Sequence, residues 1–391
     1  MKKILVMLFV FFLVGSLLIS LNGCGTTGGG DTRSWQLVGA IGFSGTTEVQ
    51  DLDLAIDSAE TPYVFFANSD YSTSPIPTVM KFSNGNWTLV GARGCGLTDG
   101  SDYVPGNLAL SVYNNVPYVI IGTSTEALAA SFEGSAWRSL GSPSSSAEAT
   151  CPSIAVDGRE IHCAYQTLNE VLYPSTPAMA SYYDSASGNW YQLGTNPLSD
   201  NGASGEDLIT RNGVNFLTFS AYEPGGITVL SNSSGNWQLI GANCGVSNTD
   251  SVWPSIAVDS GLTPYVAYTA TDSTLHVKVL FVSKYNGATW EVVGGQKISS
   301  GASDSPSLCF AADNTLYVAY PDASVSGEAT VKKWNGSNWT TVGTAGFSEP
   351  IHEGNYRLIS LAISPNGVPY VAVVGCVTGL TQPRLSVYKF E

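Results

Sequence analysis

A phrase of about ten residues recurs seven times along the chain, and this repetition constrains the fold more than any other feature. Clear copies are KFSNGNWTLVG at 81–91, KYNGATWEVVG at 284–294 and KWNGSNWTTVG at 333–343, and a shorter copy, SWQLVG, stands at 34–39. The tryptophans of the seven copies are 47 to 53 residues apart: Trp35, Trp87, Trp137, Trp190, Trp237, Trp290 and Trp339. A period of about 50 residues indicates that one structural unit is repeated throughout the chain.

Each unit has the pattern of four short strands. A second recurring phrase, clearest as SIAVDSGLTPYVAY at 255–268, has alternating apolar residues on both sides of a turn rich in Asp and Gly. It predicts strands at Ser255–Val258 and Tyr265–Tyr268. A third strand at Val279–Tyr285 leads through an Asn-Gly turn into the tryptophan strand, and helical periodicity is absent after residue 24. Four strands in about 50 residues is the size of a propeller blade, so the sequence predicts an all-β, seven-bladed β-propeller with four antiparallel strands per blade.

The two ends of the chain complement each other. The last repeat stops at YKFE, 388–391, after its third strand, whereas SWQLVG at 34–39 is a fourth strand without a repeat before it. The N-terminal strand is therefore predicted to complete the last blade beside 385–390 and close the ring, which removes an exposed sheet edge. The propeller is expected to occupy 34–391, with no room for a second domain.

The repeat resembles those of secreted bacterial seven-bladed propellers, whose units read roughly PSxAxDxxGxPYVAYxD and then VxKxNGxxWxxVG. Residues 254–294 and 306–343 match this pattern best, and the likeness extends over 34–391. Many proteins of this group are uncharacterised, so the resemblance implies a fold and export rather than an activity. The NGxxWxxVG half is also similar to the repeats of propeller lectins, but the sugar-contact motifs of those lectins are not recognisable here.

Residues 1–23 have the pattern of an export signal. Two lysines precede an apolar run, Ile4–Ile19, that is short for a membrane-spanning helix. Leu21–Cys24 resembles the bacterial lipobox, from which Asn22 departs. The resemblance implies cleavage before Cys24, lipid chains such as palmitate at that residue, and a flexible tether over 24–33. The protein is then expected on the exported side of a bacterial cell envelope, with the lipid as its only membrane anchor. An uncleaved anchor or a plain secretion signal is the alternative.

Composition and motifs exclude several functions. With 16 Lys and Arg against 31 Asp and Glu, the formal net charge is −15, which argues against a nucleic-acid partner. A phosphate-binding loop, a dinucleotide fingerprint and a CxxC pair are all missing from the sequence, so no cofactor is predicted. The six cysteines after Cys24 could form disulfides in an exported protein, but their spacing selects no pairing.

The long connections between blades, and between the second and third strands of a blade, share one face, where binding is expected. Each connection between blades carries an acidic residue shortly before the inner strand: Glu48, Asp102, Glu148, Glu206, Asp250, Asp304 and Glu353. One carboxylate per blade could form a ring at the channel mouth that attracts a basic partner or cations such as Ca²⁺, although no calcium motif supports this ion. The alternative is that these side chains cap loops.

Trp253 lies in one of these loops, out of register with the seven repeated tryptophans. An aromatic ring beside a carboxylate suits a sugar, and equally a Lys or Arg side chain. The predicted binding surface at the channel mouth therefore consists of Asp102, Tyr103, Asp250, Trp253, Asp304 and Tyr356. The alternative is that the carboxylates cap loops and Trp253 packs on Pro254.

The sequence shows no recognisable catalytic constellation. His352 and Glu353 are one adjacent acid–base pair, and the arginines Arg93, Arg357 and Arg384 are scattered rather than in the cluster of a propeller sialidase. The sequence therefore favours a non-catalytic binding module of the cell envelope for a protein or glycan, rather than an enzyme. The alternatives are a glycan-active hydrolase or lyase with its site at the channel mouth, or a structural scaffold of an envelope complex.

Overall fold

The computed structural model describes residues 32–69, 74–144, 148–158, 160–168, 176–199, 202–222, 225–242, 253–352 and 357–391. Arg33–Glu391 form one compact unit. Its strands make seven four-stranded antiparallel sheets, which confirms the predicted seven-bladed propeller. Among the described residues, no helix is long and apolar enough to span a membrane.

The blades are numbered from the first complete repeat, and the strands in chain order. Blades 1 to 4 consist of β2 (Glu48–Ile56), β3 (Pro62–Ser69), β4 (Ile76–Ser83) and β5 (Asn86–Leu89); β6 (Tyr103–Tyr113), β7 (Val116–Thr123), β8 (Ala127–Glu133) and β9 (Ala136–Gly141); β10 (Glu148–Asp157), β11 (Glu160–Leu168), β12 (Ala178–Asp184) and β13 (Asn189–Gln192); and β14 (Ala203–Arg211), β15 (Val214–Ala221), β16 (Gly226–Ser231) and β17 (Gln238–Leu239). Blades 5 to 7 consist of β18 (Ser255–Val258), β19 (Pro264–Thr271), β20 (Lys278–Tyr285) and β21 (Trp290–Val292); β22 (Ser307–Phe310), β23 (Leu316–Asp322), β24 (Glu328–Trp334) and β25 (Trp339–Thr341); and β26 (Ile359–Ile363), β27 (Pro369–Gly375), β28 (Arg384–Phe390) and β1 (Trp35–Leu37).

The N-terminal strand closes the ring as predicted. In blade 7, β1 pairs antiparallel with β28, so that Trp35 lies opposite Phe390 and Leu37 lies opposite Tyr388. The order in this sheet is β1-β28-β27-β26, with the N-terminal strand outermost. The two chain ends therefore share one sheet, and blade 7 is not left with the unpaired edge that a three-strand blade would expose.

The repeated tryptophans join neighbouring blades. Each indole Nε1–H donates to a backbone carbonyl of the preceding blade, at 2.8 to 3.1 Å. The acceptor residue always stands immediately before the glycine that ends the repeated phrase. The seven pairs are Trp35 with Val342, Trp87 with Val38, Trp137 with Val90, Trp190 with Leu140, Trp237 with Leu193, Trp290 with Ile240 and Trp339 with Val293.

A second repeated contact joins the inner strands of neighbouring blades around the central channel. We call this set of hydrogen bonds the channel ring. In six blades a short polar side chain of the inner strand accepts a hydrogen bond from a backbone N–H of the next blade, at 2.8 to 3.2 Å. Blade 2 has Ala109 at this position instead. The six pairs are Asp53 with Leu110, Ser153 with Leu208, Asp207 with Ile256, Ser255 with Leu308, Ser307 with Leu361 and Ser360 with Leu54.

Candidate functional site

The inner strands are irregular where they begin at the mouth of the channel. Two residues before the channel-ring position, the backbone has a positive φ at Cys151 (49°), Gly205 (68°), Trp253 (54°) and Ser305 (44°). In blades 3 and 4 the strand pairing also shifts register across this point. A bulge of this kind interrupts the alternation of a strand and re-aims the side chains around it. Trp253 therefore shares its backbone conformation with equivalent residues in three other blades.

Arg357 reaches across the channel mouth. It precedes β26 in blade 7, yet its Nη2 donates to the backbone carbonyl of Glu206 in blade 4 at 3.0 Å. Its Nη1 lies 4.0 Å from Oδ1 of Asp207, and its guanidinium lies over the ring of Trp253, 5.8 Å from the ring centre. Blades 4, 5 and 7 thus converge on a single guanidinium group.

Two buried carboxyl groups face the same small cavity as this guanidinium. Asp51 of blade 1 and Glu206 line it together with Cys151, Trp253 and Arg357. Asp51 is 3% exposed and Glu206 is 1% exposed. Among the described residues, neither carboxyl oxygen of Glu206 has a hydrogen-bond partner in good geometry, and Oδ2 of Asp51 also has none. An acid buried in this way is a costly arrangement, and such groups are concentrated at functional sites.

Burial decides the protonation of Glu206. It raises the pKa of this carboxyl group to about 8, against the opposing effects of its backbone N–H, the Arg357 charge and the Gln166 side chain. Burial also raises the pKa of Asp51 well above its ordinary value, although the Arg357 charge lowers it. At neutral pH Glu206 is therefore mainly a neutral acid, which can donate a proton.

A larger groove, of about 620 Å³, lies beside the channel on the same face, at blades 5, 6 and 7. Its polar lining comprises Lys278, Ser303, Asp304 and His352. Ile359 lines both this groove and the channel itself, so the two share a wall. We refer to this cavity as the side groove.

Four residues of the predicted binding surface lie in the described part of the chain. Trp253 lines the cavity at the channel mouth and Asp304 lines the side groove. Asp102 accepts a hydrogen bond from the Thr98 hydroxyl within its own loop, and Tyr103 is buried. The structure thus places Trp253 and Asp304 in two adjoining cavities. Their joint use by one ligand stays a prediction.

The remaining predicted residues, Asp250 and Tyr356, lie outside the described residues, as do Glu353 and Cys24. The sequence analysis placed Glu206 in a ring of loop carboxylates, and it missed Asp51 and the role of Arg357. A signal was present, because Asp51 and Glu206 stand within apolar inner strands and Arg357 stands just before one, where charged groups are costly to bury.

No metal or disulfide organises this site in the part of the chain that the structure describes. Within it, no group of three or more His, Cys, Asp or Glu side chains is placed to hold a metal ion. The cysteines Cys95, Cys151, Cys163, Cys309 and Cys376 are free thiols.

Comparison with solved structures shows that enzymes have a similar fold. No protein-family model and no curated protein sequence matches the chain. Among solved structures it is similar to the polysaccharide lyase Uly1, with a TM-score of 0.55 and 9% identity over 90% of this chain and 91% of that one. It is also similar to a PL25 ulvan lyase bound to -[GlcA(1-4)Rha3S]-, with a TM-score of 0.54 and 11% identity over 89% and 94% of the chains. Identities this low show a shared fold alone.

The expectation of a non-catalytic binding module, rather than an enzyme, is wrong. Both solved propellers described above are polysaccharide lyases, which favours the alternative of a glycan-active enzyme. The physical reason for the error lies at the channel mouth. The buried carboxyl groups and the arginine there come from separate blades, and no contiguous motif in the sequence brings them together.

Proposed function

We propose that the protein is a glycan-cleaving enzyme, a hydrolase or lyase, with its active site at the mouth of the propeller channel. The observation that carries this proposal is the buried carboxyl group of Glu206, whose oxygens have no hydrogen-bond partner in good geometry among the described residues and whose pKa is raised to about 8. Cleavage of a glycosidic bond, by either route, leaves an oxygen atom that needs a proton. A carboxyl group that stays protonated at neutral pH is suited to donate it.

The groups around Glu206 suit a sugar. The Arg357 guanidinium lines the cavity at the mouth, and a guanidinium group binds hydroxyl or carboxylate oxygens in a fixed geometry. The half-buried Trp253 ring, held under the guanidinium, offers an apolar face for the C–H surface of a pyranose. Asp51 is a second carboxyl group in the same cavity. That two propellers of this fold are polysaccharide lyases supports a carbohydrate partner.

The test is the Glu206→Gln variant, which keeps the shape of the side chain and removes its acid. We expect the rate of polysaccharide cleavage to fall by about 10²- to 10⁴-fold, the usual contribution of a general acid. Reducing ends released from ulvan and arabinan are the measurement, and ultraviolet absorbance of unsaturated products separates a lyase from a hydrolase. The control is Glu133→Gln, because Glu133 pairs with Arg138 at the surface of blade 2. Full activity in Glu206→Gln, or no cleavage of any glycan by the native protein, contradicts the proposal.

We further propose that this enzyme is exported and held at a bacterial membrane by lipid on Cys24. The support is the sequence pattern of two lysines, the apolar run Ile4–Ile19 and Leu21–Cys24, all outside the described residues. An anchored propeller could act on glycans that the cell cannot import intact. Incorporation of labelled palmitate, lost in Cys24→Ser, is the measurement, and equal labelling of that variant contradicts the anchor.

A further inference from the structure

We propose that the side groove is a saccharide subsite that holds the part of a glycan chain next to the bond cleaved at the channel mouth. The proposal extends the proposed function, on which it rests for the identity of the substrate. Binding in the groove is nevertheless separable from cleavage, because the groove residues differ from those around Glu206.

The groove contains a buried hydroxyl group that has no hydrogen-bond partner among the described residues, together with two charged groups. The hydroxyl of Ser303 is buried, with its residue 6% exposed, and among the described residues it has no hydrogen-bond partner. Asp304 accepts a bond from the Ser305 N–H through Oδ1 alone, at 2.9 Å. Lys278 is adjacent, because its carbonyl accepts from the Ser303 N–H at 3.0 Å. In the described part of the chain its ammonium group is in no ion pair.

This set of groups matches the hydroxyls of a sugar. A carboxylate can only accept hydrogen bonds and an ammonium group can only donate them, whereas a sugar hydroxyl does both. Asp304 and Lys278, which line the same groove and whose charges interact, therefore suit hydroxyls of one ring. A phosphate or sulfate ion alone would be repelled by the carboxylate, which makes the groove a poor site for a simple anion.

The shape of the groove supports the same occupant. Pro321, Pro350, Ile351 and Leu358 supply an apolar wall against which the C–H faces of sugar rings can pack. The volume of about 620 Å³ lies within the range of small-molecule sites.

The groove is also placed to receive a chain that leaves the channel mouth. Leu358, which lines the groove, directly follows Arg357, which lines the mouth. Ser305 in the groove and Trp253 at the mouth occupy the same left-handed position in neighbouring blades. A polysaccharide with one bond at Glu206 can therefore extend over blades 6 and 7.

The experiment measures binding with cleavage switched off. In a Glu206→Gln background, binding of ulvan and arabinan oligosaccharides of increasing length is measured on an immobilised array. We expect Asp304→Asn and Lys278→Met each to weaken the retention of long oligosaccharides about tenfold, because each removes a charged hydrogen-bonding group. The matched control is Lys284→Met, in the same strand, where the ammonium group pairs with Glu291 at 3.0 Å. Melting temperatures confirm that each variant is folded.

Retention by the Asp304 and Lys278 variants equal to that of the Lys284 control overturns the subsite, and so does failure of every oligosaccharide to bind the Glu206→Gln protein. The two proposals can fail separately. If Glu206→Gln still cleaves glycans while the groove variants lose binding, the assignment of the acid is wrong and the subsite stands.

Discussion

At the scale of single residues, the burial of Glu206 suits its proposed function and lowers folding stability. Among the described residues its buried carboxyl group has no hydrogen-bond partner in good geometry, which is costly, and the native protein limits this cost by keeping the group protonated. The unfolded chain releases the same proton near the ordinary glutamate pKa of 4.5, whereas the native protein holds it up to about 8. The native state therefore binds more protons than the unfolded state between these two values, so folding stability must fall as the pH rises through this window.

This difference gives a prediction for the pH dependence of stability. The Glu206 contribution is fully present below pH 4.5 and is lost by about pH 8, with a slope of up to about 1.4 kcal/mol per pH unit. Glu206→Gln removes this contribution, so its free energy of unfolding should decline less steeply than that of the native protein. Denaturant titrations across this range are the measurement. Asp51, whose pKa is also raised, titrates in both proteins. The difference between their two pH profiles of unfolding free energy therefore reports on Glu206. Identical pH profiles would show that Glu206 is not buried as an acid.

At the scale of elements, the sequence predicts regular strands well and irregular ones poorly. The strand Ser255–Val258 has the predicted bounds, because apolar alternation and a turn rich in Asp and Gly are local signals. The left-handed backbone of Cys151 and Trp253 has no such signal, since neither residue type favours it. Arg357 contacts Glu206 across 151 positions of the sequence, and no local pattern predicts a contact between blades 7 and 4. The blades were therefore predictable, whereas the site between them was not.

Alanine substitutions of the glycine that ends the repeated phrase test how closely neighbouring blades approach each other. Gly91 and Gly141 end equivalent phrases and have φ values of 68° and 81°, so alanine at either position has a similar backbone cost. A Cβ at Gly91 would lie 2.8 Å from the Trp137 ring, whereas one at Gly141 would meet nothing within 4 Å. Gly91→Ala should therefore be less stable than Gly141→Ala by about 1–3 kcal/mol, the usual cost of overpacking. Thermal and denaturant unfolding are the measurements, and equal stabilities would mean that the joint between these blades is loose.

At the scale of the whole molecule, three contacts hold the ring: the repeated indole bonds, the repeated channel ring and the closure of blade 7. The first two recur around the circle, with one exception in the channel ring at Ala109, where Asn107 accepts instead from the Cys151 N–H. The third occurs once, at the point where the chain ends meet. Loss of the closing strand therefore leaves blade 7 with three strands and an exposed edge at β28.

The closing strand is tested by truncation. Trp35 donates to Val342, stacks on Phe347 at 3.9 Å, and belongs to the strand that covers β28. A chain that begins at Ser34 keeps these contacts, whereas one that begins at Ala40 loses them and exposes the edge of β28. We expect the shorter chain to melt roughly 10 °C lower, because it loses a large aromatic contact together with its backbone pairing. A synthetic peptide of residues 33–40 should restore the melting temperature in proportion to its occupancy, and the same peptide with Trp35→Ala should not. Equal melting of the two chains would contradict closure by this strand. Rescue by the native peptide alone would show that the indole bond, and not an added strand of any sequence, closes the ring.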